Sequence, residues 1–179
     1  EKFIQLFLAE CAKLKTGNPL DADTTLAPLH RADLRLRVHE QVEDALDNGA
    51  ECLLGGTVPD GGGWFYPATV LDHVNPNCRV YREEVFGPVA MLLRAKDATH
   101  AVELANDSPF GLGACIYTAD TAKAWCFAEK IHAGSVFINR HTSSDLRLPF
   151  GGVKDSGYGR ELSEFGLYEF VNVKTYWQK

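Results

Sequence analysis

The residue types that do chemistry are all present, yet few stand at spacings a reaction needs. Gly152 and Gly157 are separated like the glycines of a phosphate-cradling Walker A loop, but Tyr158-Gly159 follows where Lys and Ser or Thr are required. The five cysteines, Cys11, Cys52, Cys78, Cys115 and Cys126, include no CxxC pair. The six histidines, His30, His39, His73, His100, His132 and His141, show no HExxH or paired-ligand spacing, so no metal ligand is expected. No serine sits in a GxSxG elbow. Cys115 falls in a strand pattern and Cys126 in a helical one, where a thiol packs as an inert core group. Arg31, Arg35 and His39 share one helix face and read as solvated, because anion sites usually add a helix N-terminus. These residues by themselves nominate no catalytic group.

The elements that must position any site are clearer. Phe3, Phe7, Cys11 and Leu14 follow helical spacing, as do Leu34, Val38, Val42 and Leu46; Ala50–Leu54 and Trp64–Leu71 read as strands. From Pro88 to Asn139 the pattern is strand (Val89–Leu93), helix (Ala98 to Ala105, with Asp97 as N-cap), strand (Leu112–Tyr117), helix (Ala124 to Ile131) and strand (Ser135–Ile138). Such alternation implies parallel pairing with crossovers, and so an α/β fold with a three-layer, doubly wound, mainly parallel sheet. Its first strand-to-helix turn, Arg94-Ala95-Lys96-Asp97, has no glycine and cannot cradle a pyrophosphate in the Rossmann manner. Residues 140–160 have no period but contain Phe150-Gly151-Gly152 and Gly157-Tyr158-Gly159, which marks a functional loop. Phe170–Trp177 reads as a terminal strand in want of a partner.

Composition narrows the function classes. The 179 residues carry a net charge of −6 and are 45% hydrophobic, with a pI near 5.5, which leaves no electrostatic footprint for nucleic acid or an anionic membrane. The longest nearly apolar stretch, Val85 to Leu93, is interrupted by Gly87-Pro88 and is too short to span a bilayer. Unpaired thiols suggest a reducing, cytoplasmic setting. Met91 is the single methionine, and the chain opens inside a helical pattern, so either processing removed a start methionine or the chain is a truncated larger protein.

Three segments carry a resemblance. Glu83-Glu84-Val85-Phe86-Gly87-Pro88-Val89, Ala105-Asn106-Asp107-Ser108-Pro109-Phe110-Gly111-Leu112, and Pro149-Phe150-Gly151-Gly152-Val153-Lys154-Asp155-Ser156-Gly157 with Gly159-Arg160-Glu161 resemble, in this order, motifs of the aldehyde dehydrogenase superfamily. The second half is most similar to succinate-semialdehyde dehydrogenases. The resemblance implies an NAD- or NADP-dependent oxidation of a small aldehyde through a thiohemiacetal and a thioester on a cysteine. It also implies that this cysteine, the general-base glutamate and the nucleotide-binding domain precede Glu1. The chain then comprises the C-terminal part of the catalytic domain (1–162) and an extension with an oligomerisation strand (163–179) of a homo-oligomer, and holds no catalytic residue of its own.

On matching positions the resemblance makes Glu84 the carboxylate that holds the nicotinamide ribose, and Phe86 the aromatic beside it. Phe150 becomes a wall of the aldehyde pocket, and Ser144 a donor to the substrate carboxylate, with Ser143, Arg140, His141 and Arg147 near in sequence. Each has a competing structural explanation. Glu84 would pair with Arg79 or Arg82, Phe86 would be core, Phe150 would anchor a turn, and Ser144 would cap one. The competing function is a different aldehyde class, or a stand-alone binding or oligomerisation domain of the same fold without chemistry.

Overall fold

Apolar side chains at helical intervals build the first half of the molecule. The computed structural model describes residues 1–179, which divide into two compact units, Glu1–Arg94 and Ala95–Lys179. In the first unit, helices α1 (Lys2–Cys11) and α2 (Ala32–Asp47) precede strands β1 (Glu51–Leu54) and β2 (Thr69–Asp72), a single-turn helix α3 (Arg79–Arg82) and strand β3 (Val89–Met91). Val38, Gln41, Val42 and Ala45 form the buried stripe of α2, at the i, i+3, i+4, i+7 interval. Around the stripe lie Tyr66, Leu71, Val74, Cys78, Val80 and Tyr81, the core of the unit. β2 is central and buried at all four residues; β1 pairs with it antiparallel and β3 parallel.

The second unit contains α4 (Ala98–Asn106), β4 (Phe110–Gly111), β5 (Gly113–Ile116), α5 (Thr121–Ala128), β6 (Ser135–Ile138), β7 (Val153–Lys154) and α6 (Ser163–Tyr168). β5 and β6 pair parallel through the α5 crossover, as the alternation requires, while β4 pairs antiparallel with β7. Asp97 caps α4 by accepting from the His100 N–H at 2.9 Å, and Asp120 caps α5 by accepting from Lys123 N–H at 3.0 Å. β3 takes β2 as its partner, because a helical crossover dictates strand direction but not which strands become neighbours. Residues 172–179 have no regular secondary structure and are exposed.

Cys115 and Cys126 are not core thiols in this chain: both are exposed. Cys115 lies on the outward register of β5, and Cys126 follows the exposed Trp125 on α5.

Asp72, at the end of β2, is 2% exposed and accepts from Arg94 at 2.5 Å and from the His73 N–H at 2.8 Å. Burial alone would raise its pKa, but the Arg94 and His73 hydrogen bonds outweigh burial and hold it below the usual carboxylate range. A depressed folded pKa contributes stability above the unfolded value of about 3.9, lost as pH falls through the folded pKa. The melting temperature should therefore fall as pH drops below about 4. Arg94→Gln should lower it at neutral pH and flatten the acid limb, as circular dichroism can record. An acid limb unchanged in Arg94→Gln would contradict this assignment.

Candidate functional site

The segment after α3 is extended, with Glu83 at φ −101° and ψ 156°, so successive side chains point to opposite sides. Glu83, Val85 and Gly87 turn inward and are half-buried; Glu84 and Phe86 turn outward and are exposed. The inward side is firmly held. Arg79 grips Glu83 through two hydrogen bonds of 2.9 and 3.2 Å, and Arg37 lies 3.7 Å away. The Arg79 guanidinium holds the Glu83 carboxyl below its ordinary range. Gln41, fully buried, donates its Nε2 to Glu83 at 2.8 Å and to the Glu84 carbonyl at 3.4 Å. Gly87 sits against α2 so closely that a Cβ there would lie 2.8 Å from Val38 Cγ2, which only glycine avoids.

This anchoring leaves Glu84 and Phe86 with nothing to do inside the unit. The Glu84 carboxylate makes no hydrogen bond or ion pair, because Arg79 is committed to Glu83 and Arg82 stacks on the Tyr81 ring at 4.8 Å. Phe86 is 68% exposed and belongs to no core of its unit. A carboxylate and an apolar ring two residues apart on one face can accept a pair of hydroxyl hydrogen bonds while covering the sugar that bears them. The Arg31, Arg35 and His39 face offers no rival anion site. Arg31 pairs with Asp33, Arg35 donates to the Gly63 carbonyl and stacks on Trp64, and His39 bonds Tyr66 at 3.2 Å.

In the second unit the glycine-rich loop is held by its own polar residues. Lys154 Nζ donates to the Asn106 and Ser108 carbonyls, both at 2.8 Å, and Arg160 donates to the Gly152 and Gly159 carbonyls at 2.7 and 2.8 Å. Ser156 Oγ accepts from the Gly111 N–H at 3.0 Å. A Cβ on Gly134 would lie 1.7 Å from the Gly151 oxygen, so the loop can pass the start of β6 only over glycine. Phe150 exchanges two backbone hydrogen bonds with Glu161, and its half-buried side chain lines a cleft of about 380 Å³ with Leu112, Tyr158, Arg160 and Phe170. It therefore both anchors a turn and walls a cavity.

Ser144 is exposed, its hydroxyl has no partner, and it does not line that cleft. The loop turn is capped by Asp145, which accepts from the Arg147 backbone N–H at 3.0 Å and from its guanidinium at 2.9 and 2.7 Å. Arg147 holds the Asp145 carboxyl far below its usual range and is itself committed there. Ser143 Oγ is buried without a partner.

Gln41 and Glu83 escaped the reading of the sequence. The signal for Gln41 is a polar residue on an apolar helical stripe, visible once Ala45 rather than Leu46 is taken as the last buried position.

The aldehyde dehydrogenase family model matches residues 1–176. Among curated relatives, the Escherichia coli (strain K12) protein named succinate semialdehyde dehydrogenase (NAD(P)+) Sad is 52% identical over 176 residues, covering 98% of this chain and 38% of its own length. A protein of Paenarthrobacter nicotinovorans named aldehyde dehydrogenase is 49% identical over 177 residues, covering 99% of this chain and 39% of its own. Among solved structures, succinic semialdehyde dehydrogenase from Streptococcus pyogenes in complex with NADP+ superposes with a TM-score of 0.92 at 42% identity. That match covers 96% of this chain and 38% of that one. The α/β architecture expected from the alternating elements is thus that of the solved relative. The chain spans less than two-fifths of the length of the curated relatives it matches. With the family model matching nearly every residue, the chain belongs to the aldehyde dehydrogenase family.

Proposed function

We propose that the chain is the C-terminal part of an NAD- or NADP-dependent dehydrogenase that oxidises succinate semialdehyde, or a similar short semialdehyde, to the acid. The carbon skeleton passes through a thiohemiacetal and a thioester on a cysteine outside these 179 residues. The observation that carries this reading is the unpaired, exposed Glu84 carboxylate beside the exposed Phe86 ring, on a segment whose other face is pinned. Both residues fit a nicotinamide ribose: Glu84 accepts from its two hydroxyls, and Phe86 covers it. The cofactor, when bound, accepts the hydride. Phe150 excludes water from the aldehyde side, and Ser144 donates to a distal carboxylate. Val173, Tyr176 and Trp177, at least 77% exposed here, serve as a strand added to a neighbouring subunit's sheet edge. Five unpaired thiols suit a cytoplasmic enzyme.

The test is Glu84→Gln in the complete dehydrogenase. Losing a charge-assisted hydrogen bond costs about 1.5–3 kcal/mol, so hydride transfer should slow roughly ten- to a hundredfold. The melting temperature should barely move, as for other surface substitutions. Normal kinetics with a large loss of stability would show that Glu84 serves the fold.

A further inference from the structure

We infer that Gln41 is a positioning residue for cofactor binding: its amide clamps the Glu83–Gly87 segment so that Glu84 and Phe86 are presented together. This rests on the reading of Glu84 and Phe86 given above. Three observations point to it. Gln41 is fully buried on the apolar stripe of α2, between Val38 and Ala45, where Leu would fill a similar volume. Its Nε2 is the one donor that reaches both Glu83 and the backbone of Glu84. Its Oε1 is buried with no partner within the chain.

The third observation decides between a stabilising and a positioning role. A buried amide with its oxygen orphaned is a poor solution for stability, since an apolar residue of similar size would leave no unmet acceptor. Glu83 depends on Arg79 more than on Gln41 for its charge, because Arg79 grips it twice and Arg37 stands nearby. What Gln41 adds is geometry. It ties α2, one residue after Glu40 and one turn after Val38, to the peptide that carries Glu84. Val38 meets Gly87 at the other end of the same segment. The five-residue segment is thus fixed at both ends against one helix, with its two outward side chains aimed from a rigid base. Small misplacements of such groups are expensive, on the order of a hundredfold for about 1 Å.

The experiment is isothermal titration of the complete dehydrogenase with NAD+ and NADP+, without aldehyde, alongside thermal melts. Gln41→Leu should weaken cofactor binding about tenfold or more while leaving the melting temperature unchanged or raised. Val42→Ala, which thins the same core without removing a hydrogen bond to the segment, should lower the melting temperature and leave the cofactor Kd unchanged. A Kd for Gln41→Leu within about twofold of the parent, or an equal weakening in Val42→Ala, overturns the clamp. Should Gln41→Leu not fold, Glu83→Gln, at a half-buried position, breaks the Arg79 charge pair beside the clamp: cofactor binding should weaken about tenfold or more, with a lowered melting temperature that Val42→Ala shares without the loss of binding. Glu84→Gln titrated in parallel separates the two ideas. Weak binding in Glu84→Gln with normal binding in Gln41→Leu rejects the clamp and keeps the ribose reading. Weak binding in Gln41→Leu alone removes Glu84 from the cofactor and with it the clamp as a device for presenting Glu84, and normal binding in both rejects both.

Discussion

Purified by itself, the 179-residue chain is expected to produce no NAD(P)H from succinate semialdehyde. On the proposed reading the chemistry is covalent and the nucleophilic cysteine lies outside these residues, and removing the nucleophile from a covalent mechanism costs on the order of a millionfold. None of the five thiols here has the setting of a nucleophile. The nearest polar partner of the exposed Cys115 is the Thr142 hydroxyl at 3.3 Å, which is no base. Packing gives a second, independent reason. Of the twelve buried hydrophobic residues, eleven lie in the first unit, and only Ala124 lies in the unit that carries Ser144 and Phe150. The accessible surface is 12432 Å². Two separate compact bodies of half this mass would together expose only about 10,400 Å². Apolar groups such as Leu148, Phe165, Leu167 and Phe170 are therefore left open to water, each forgoing part of the roughly 1.5–3 kcal/mol that burial supplies. The second unit should bind a hydrophobic dye and melt without a sharp transition. Measurable NAD(P)H from the purified chain would refute the expectation.

Ser144→Ala in the complete dehydrogenase should lower kcat/KM for succinate semialdehyde roughly ten- to a hundredfold, the value of one hydrogen bond to a charged group. The local structure makes Ser144 a donor in waiting. It is exposed and unpartnered, while Asp145 and Arg147 satisfy the turn and each other. Removing its hydroxyl therefore costs no internal bond, and the melting temperature should hold. With butanal, which has the same carbon count and no carboxylate, the loss should largely vanish. Equal losses on both aldehydes would show that Ser144 acts on something other than the distal charge.

What the sequence made legible follows from where each signal is local. β6 falls on Ser135–Ile138 and the Asp97 cap on the expected residue, because apolar runs and capping side chains act over a few positions. α3 and α6, four and six residues long, are too short to show a period. Strand neighbours were not legible either: β3 joins β2, a choice made by long-range packing. The apolar company of Cys115 and Cys126 implies core thiols, yet both are exposed, because exposure depends on which face the rest of the fold covers. At the site, the motif residues divide by function. Lys154, Ser156 and Arg160 hold the loop, whereas Glu84 and Phe86 are held by others. A motif reveals that residues travel together, but only their hydrogen bonds tell which of them are spent on the fold.

The central claim is that these residues belong to an enzyme for a short aldehyde bearing a distal carboxylate. It is tested most directly by the ratio of kcat/KM for succinate semialdehyde to that for butanal, measured on the unmodified complete dehydrogenase with saturating cofactor. A hydrogen-bonded carboxylate should favour succinate semialdehyde by about tenfold or more. A ratio at or below unity would contradict the account.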